Sequence, residues 1–229
     1  MNAPSNNDVV FLFDVDNTLL DNDHVLTDLR THMTRQFGEE NSARYWEIFE
    51  DLRSELGYAD YLGALQRYRN EHHDDTQLLL MSCYLIDYPF ANRVFPGALD
   101  ALRYASGFGK TAILSDGDVV FQPRKVSRSG LWDEVEGRVL IYIHKELMLD
   151  DVIAHYPARH YVMVDDKLRI LTAMKEQWGD RLTTIFPRQG HYALDAEEIA
   201  KYPDPDITIE RIGELTSIDF DALTTKGRR

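Results

Sequence analysis

The chain has 229 residues, 44% of them hydrophobic, and a formal net charge of −14 at pH 7 from 25 Lys and Arg against 39 Asp and Glu. That length suits one large domain, or a core with a modest insertion, and is enough to bury a sizeable interior. The acidic balance argues against a nucleic-acid backbone or an anionic membrane as partner, because both need clustered Lys and Arg.

An anionic substrate would gain nothing from long-range attraction, so a phosphate site here must work by local charge: a divalent cation, one or two lysines and backbone N–H groups. Cys83 is the only cysteine, which leaves no internal disulfide and no cysteine-rich metal cluster. It is expected to pack as a small apolar residue within Leu78 to Ile86. No apolar run reaches bilayer length, and the opening Met1 to Asp8, rich in Asn, carries no secretory signal, so a disordered lead-in and cytoplasmic residence are expected.

Val9 to Phe13 reads as a strand buried on both faces, since it does not alternate. It ends in Asp14-Val15-Asp16-Asn17-Thr18, two carboxylates one residue apart. Both start on one side of the chain with Val15 turned away. Such a pair repels itself unless a cation or a shared proton intervenes. The competing interpretation is a polar strand end that caps the next helix through Asp16, Asn17 or Thr18.

From Asp21 to about Tyr88 the periodicity is helical, with helices expected at 23–37, 41–56, 59–72 and 76–87 and breaks at Gly38 and Gly57. Phe95-Pro96-Gly97 then opens another helix. Beyond it, strands at 111–114, 139–143, 161–164, 183–186 and 207–209 alternate with helices at 119–129, 146–155 and 168–178. This alternation predicts a parallel sheet with right-handed crossovers, and places the helical block as an insertion over its carboxyl edge.

Three more strand ends carry chemistry. Ser115-Asp116-Gly117-Asp118 offers a hydroxyl and backbone N–H groups that Gly117 can turn toward an anion; alternatively Ser115 or Asp118 caps a helix. Lys145 follows the third core strand, either as a point charge for a phosphoryl oxygen or as a solvated lysine. Asp165-Asp166 ends a fourth apolar strand, where helix capping is the alternative. In an open α/β sheet all four strand ends converge on one crevice.

These motifs, Asp14 with Asp16, Ser115, Lys145, and Asp165 with Asp166, resemble the four motifs of the haloacid dehalogenase-like superfamily. The helical block resembles the cap of its phosphoglycolate phosphatase and β-phosphoglucomutase-like branch. The resemblance implies a doubly wound Rossmann-like α/β core formed by residues 1–20 and 92–229, with an all-helical cap of residues 21–91. It implies that Asp14 attacks phosphorus, that Asp16 carries the proton, and that Ser115, Asp116, Gly117 and Lys145 hold the phosphoryl group. Mg²⁺ would be held by Asp14, the Asp16 backbone carbonyl and the fourth motif, with Asp166 as direct ligand and Asp165 acting through water. Asp16 distinguishes the chain from the true dehalogenases, which lack that second carboxylate. Where family members often follow the lysine with Pro, this chain has Glu146-Leu147, so Lys125 or Arg124 are the fallback for Lys145.

The function expected is an Mg²⁺-dependent phosphatase of a small phosphorylated metabolite acting through an aspartyl-phosphate. The alternatives are a phosphomutase and a non-catalytic phospho-ligand or partner-binding module. His24, Tyr58, Tyr61, Arg67, Tyr68 and Arg69 are the candidates for substrate contact from the cap, against a plain packing or solvated role. His72-His73-Asp74-Asp75 reads as a polar helix end, because adjacent helical residues face different ways. Arg188 to Tyr192 would lie beside the crevice, touching substrate or gating access, or serving only as a loop.

Overall fold

The structure, a computed structural model, describes residues 8–72 and 76–220. In chain order the elements are β1 (Val9–Phe13), α1 (Asn22–Leu56), α2 (Tyr61–Arg69), α3 (Gln77–Asp87), α4 (Ala98–Ser106), β2 (Lys110–Asp116), α5 (Phe121–Arg128), α6 (Leu131–Glu134), β3 (Val139–Tyr142), α7 (Leu149–His155), β4 (His160–Val164), α8 (Leu168–Trp178), β5 (Leu182–Pro187), α9 (Gly190–Leu194), α10 (Ala196–Ile199) and β6 (Ile207–Ile209). The strands form one parallel sheet in the order β3-β2-β1-β4-β5-β6. The fold is therefore the expected doubly wound, Rossmann-like α/β architecture.

β1 is fully buried because apolar clusters lie on both sides of it. Val9, Phe11 and Phe13 face a cluster shared with α1 to α4, whereas Val10 and Leu12 face one shared with α7 and α8. The chain runs from β1 outward to β3 on one side, then returns to β4 on the other. The point where the order reverses is thus the carboxyl end of β1, which is where an open α/β sheet leaves a crevice. Register does the rest. Phe13 stands level with Ile113 of β2 and Val164 of β4, so the residues that follow each strand emerge side by side.

Between β1 and β2 the described residues contain helices only. The two helices expected on either side of Gly38 are one element, α1, interrupted at that glycine, whose backbone is left-handed (φ 80°). Gly57 ends it, again left-handed, with its N–H on the Arg53 carbonyl. The helix expected at 59–72 begins at Tyr61 because the Asp60 carboxylate accepts the Gly63 N–H. The way into this block and the way out run together: Asp21 N–H bonds Arg93 O (2.7 Å) and Phe95 N–H bonds Leu19 O (2.9 Å).

Other boundaries moved for local reasons. The helix expected from Val119 starts at Phe121, since the Asp118 carboxylate accepts the N–H groups of Val120 and Phe121. The one expected from Glu146 opens as a 3₁₀ turn over Lys145–Leu147 before α7. The short helices α6, α9 and α10 had no periodic signal to announce them. Cys83 is exposed, contrary to expectation. α3 buries Leu78, Met81 and Leu85, spaced three and four apart, and Cys83 falls on the opposite face. Residues 1–7, most of the predicted lead-in, and 73–75, most of the predicted polar helix end, lie outside the described residues. No helix among the described residues is long and apolar enough to cross a membrane.

The sheet's far edge is fastened by Asp206, just before β6. Its Oδ2 accepts from Thr184 N (2.8 Å), Thr184 Oγ1 (3.0 Å) and Lys175 Nζ (2.7 Å). Burial alone would raise this carboxyl, but Lys175 and Thr184 outweigh it and hold the pKa below the ordinary value. An acid depressed in the fold stabilises above its unfolded pKa, about 3.9, and loses that contribution as pH falls through the folded value. Asp206→Asn is therefore expected to cost about 1 kcal/mol at pH 7, the carboxyl being partly exposed. In urea titrations from pH 7 to pH 3, its deficit against wild type should narrow; a constant gap would contradict the assignment.

Candidate active site

The four sequence motifs meet at the carboxyl end of β1. Asp14 extends that strand, its N–H on Val164 O (3.0 Å), and Asp165 extends β4, its N–H on Ile185 O (3.2 Å). Asp14, Asp165 and Asp166 are all buried, and one carboxylate oxygen from each lies within 4.8 Å of the others. Lys145 sits between two of them, with Nζ 2.5 Å from Asp14 Oδ1 and 2.6 Å from Asp165 Oδ2. Burial alone would depress this ammonium, but the flanking carboxylates hold its pKa above the ordinary value. The lysine expected at this motif is therefore the one that meets Asp14, despite Glu146-Leu147 after it. Glu146 turns instead to Arg169 (2.6 Å).

The carboxylates of Asp165 and Asp166 are both raised, first by burial and then by neighbouring acids, with Lys145 and Lys167 pulling the other way. Lys145, in contact with two of the three buried carboxylates, and the nearby Lys167 leave negative charge in excess. Asp165 is occupied, Oδ1 accepting Lys167 N–H (2.8 Å) and Oδ2 facing Lys145. Asp166 is different: neither of its buried oxygens accepts a hydrogen bond among the described residues. An orphaned buried carboxylate costs several kcal/mol unless a cation meets it, so the donor set fits a divalent metal ion with oxygen preference.

Asp16 lies apart from this cluster. Its carboxylate receives Lys125 Nζ at 2.6 Å on Oδ1 and Gln122 Nε2 at 3.4 Å on Oδ2. The helix-capping role considered for Asp16 falls to others. Asn17, left-handed at φ 61°, accepts the N–H groups of Asn22 and Asp23, and Asp21 caps His24. Thr18 Oγ1 accepts the Asp166 N–H (3.0 Å), which ties the first motif to the fourth.

Ser115 Oγ donates to Asp14 Oδ1 (3.2 Å). Asp116 is raised by burial against the pull of Lys145, whose backbone N–H its Oδ1 accepts (2.7 Å). The expectation that Gly117 presents its own N–H to an anion is corrected, since that N–H bonds Tyr142 O (2.9 Å). The glycine is needed for space: a Cβ there would stand 2.6 Å from Gln122 Cβ. Asp118 serves the helix start, as the alternative interpretation had it.

A cavity of about 500 Å³ opens above Asp16, Asp116 and Gly117, roofed by α1 and the segment Gly57 to Tyr61. Of the residues expected to contact substrate from the helical block, Tyr58 and Tyr61 line it. The others do not. Tyr68 is buried and stacks on Phe37, Arg67 pairs with Glu55, His24 pairs with Asp21, and Arg69 is exposed away from the cavity. Arg30 and Arg53, overlooked in the sequence, line the cavity instead, because the break at Gly38 folds the two halves of α1 toward one space. Their only signal was four-residue spacing from Leu26 and Phe49.

Lys167 also lines the cavity, its Nζ 5.3 Å from the Tyr192 ring. In the 188–192 segment, His191 pairs with Asp23 (2.6 Å) and Tyr192 OH accepts from Arg53 (3.2 Å). Gly190 is required there. Its backbone is left-handed (φ 73°), and a Cβ would stand 2.4 Å from Asn17 Cβ.

A parallel α/β sheet with a buried carboxylate cluster at its switch point, under a helical roof, defines a class of carboxylate-centred α/β enzymes. The sequence profile of the haloacid dehalogenase-like hydrolases matches residues 9–177, and the chain belongs to that family. A protein of Burkholderia xenovorans LB400, assigned to the haloacid dehalogenase-like hydrolases, is 75% identical over 93% of this chain and 99% of its own, with TM-score 0.87. A haloacid dehalogenase-like family hydrolase of Xanthomonas campestris is 15% identical over 97% and 94%, TM-score 0.69. L-2-haloacid dehalogenase of Xanthobacter autotrophicus is 17% identical over 91% and 96%, TM-score 0.58. No curated protein matches the sequence.

Replacing Asp166 by Asn removes the unpaired carboxylate while keeping its shape. The metal-free variant is expected to melt above wild type, and the rise in Tm that wild type gains from a divalent cation should vanish. A cation-dependent rise retained in full by the variant would refute the metal assignment.

Proposed function

We propose that this hydrolase is an Mg²⁺-dependent phosphatase of a small phosphorylated metabolite. The observation that carries this reading is the orphaned Asp166 carboxylate beside Asp14 and Asp165, together with Asp16 two residues beyond the nucleophile. An ester hydrolysis that proceeds through a carboxylate nucleophile needs both a place for phosphoryl charge and a proton carrier for the leaving oxygen.

In the first half-reaction an Asp14 oxygen bonds to phosphorus, the bond to the leaving oxygen breaks, and Asp16 gives that oxygen its proton. In the second, Asp16 takes a proton from water as the water oxygen bonds to phosphorus. The bond from phosphorus to Asp14 breaks, and phosphate leaves. Ser115 steadies the phosphoryl oxygens and Lys145 balances the charge of Asp14. Asp14, the Asp16 carbonyl and Asp166 would hold Mg²⁺, with Asp165, already committed to Lys145 and the Lys167 N–H, reaching it through water. Bound there, Mg²⁺ would neutralise phosphoryl oxygens as charge develops. Residues 21–91 act as the cap, excluding water from a cavity suited to a metabolite-sized substrate. The paired strands of chain at Leu20 and Val94 are its hinge.

Phosphate release from a panel of phosphomonoesters, with and without Mg²⁺, tests the reading. Turnover should require the metal, and Asp14→Asn should lower it at least ~10³-fold. Halide release from L-2-chloropropionate without phosphate release would instead make the protein a dehalogenase. Transfer between sugar phosphates, stimulated by a sugar bisphosphate, would make it a mutase.

A further inference from the structure

The two carboxylates of the first motif are joined by a continuous chain of buried and partly buried hydrogen bonds. Asp14 Oδ1 accepts from Ser115 Oγ (3.2 Å), and Gln122 Nε2 donates to Ser115 Oγ (3.1 Å) and to Asp16 Oδ2 (3.4 Å). Lys125 Nζ then closes the chain on Asp16 Oδ1 (2.6 Å) and on Asn22 Oδ1 (3.0 Å). Gln122 and Lys125 lie three apart on α5, hence on one face, and are 3% and 1% exposed. A lysine so deeply covered must lose its hydration and the freedom of a four-carbon stem, and Asp16 and Asn22 are what it receives in exchange.

Asp16 itself is a quarter exposed, facing the cavity, and no backbone N–H fixes its carboxylate among the described residues. Without α5 its side chain would be free to rotate between staggered positions. We infer that Lys125, with Gln122, is a positioning residue that holds the Asp16 carboxylate at a fixed offset from Asp14. Neither residue belongs to the four motifs. The inference rests on the phosphatase reading only for its kinetic consequence; the geometric consequence stands without it. Of the two lysines buried among the described residues, Lys145 serves the nucleophile and Lys125 serves the proton carrier.

The test uses two esters that differ in how much they need a proton on the leaving oxygen. p-Nitrophenyl phosphate departs as a stable phenolate and needs little; glycerol 3-phosphate departs as an alkoxide and needs it fully. kcat/KM reports the first half-reaction, in which that proton is given. Lys125→Met is expected to lower kcat/KM for glycerol 3-phosphate by about 10- to 100-fold, while the aryl ester barely changes. Lys125→Arg should recover part of the loss. Gln122→Leu, which keeps the lysine, should show the same selectivity more weakly and supplies the result if Lys125→Met does not fold.

Equal losses on both esters, or none, would overturn the inference. If wild type releases phosphate from neither, the reaction proposed above is what fails, and the crystal structure of Lys125→Met decides the positioning role: an Asp16 carboxylate turned away from Gln122 upholds it, and an unmoved one overturns it.

Discussion

A buried lysine ammonium, set between two carboxylates that are themselves buried, is the interaction on which this active site depends. Lys145 leaves the 3₁₀ turn after β3 and reaches Asp14 at the end of β1 and Asp165 at the end of β4. Breaking such a triad by removing one member strands a charge and costs several kcal/mol, so its three contributors constrain one another's position. Through them three separate strands are held at the same height, and Ser115 and Asp166 come along as neighbours in sequence or register.

The triad leaves a deficit that gives the site its chemistry. Lys145 lies between Asp14 and Asp165, and the third carboxylate, Asp166, accepts no hydrogen bond on either oxygen among the described residues. In a protein of net charge −14 such a cluster would be an odd thing to keep if it did no more than hold the fold together. A site that lacks positive charge can accept a divalent ion, and with it the negative charge of a substrate that the protein's overall field would repel. The same scarcity explains why lysines near the crevice are placed singly and buried. Lys145 meets Asp14 and Asp165, and Lys125 meets Asp16.

The roof over this crevice is built on a different principle. Around β1 the packing is close and two-sided, whereas α1 is broken at Gly38 and crosses the cavity with its two halves at an angle. Polar residues on the inner side of those halves, Arg30 and Arg53, face the space rather than the core. The roof meets the sheet layer through apolar packing, such as Tyr61 on Phe121, and through polar contacts at its margin, among them His191 with Asp23 and Tyr192 with Arg53. The polar contacts, being exposed, contribute less than the apolar packing that both parts share.

Much of this was legible in the sequence, and for a physical reason. A strand buried on both faces must be apolar throughout, so its end is marked by the first residue that cannot be buried alone; Asp14, Ser115 and Asp165 stand at such ends. Alternation with helical periodicity then forced a parallel sheet, and a parallel sheet brings its strand ends to one rim. Local composition could not say which lysine meets which acid, because that depends on side chains 131 and 109 residues apart in the chain. Nor could it say that Cys83 is exposed, that Tyr68 takes the packing role instead of lining the cavity, or that Gly117 gives space rather than a hydrogen bond. Those outcomes follow from how helices rotate against a common core and how loops from different strands meet, and only the folded chain, where distant segments compete for the same volume, decides them.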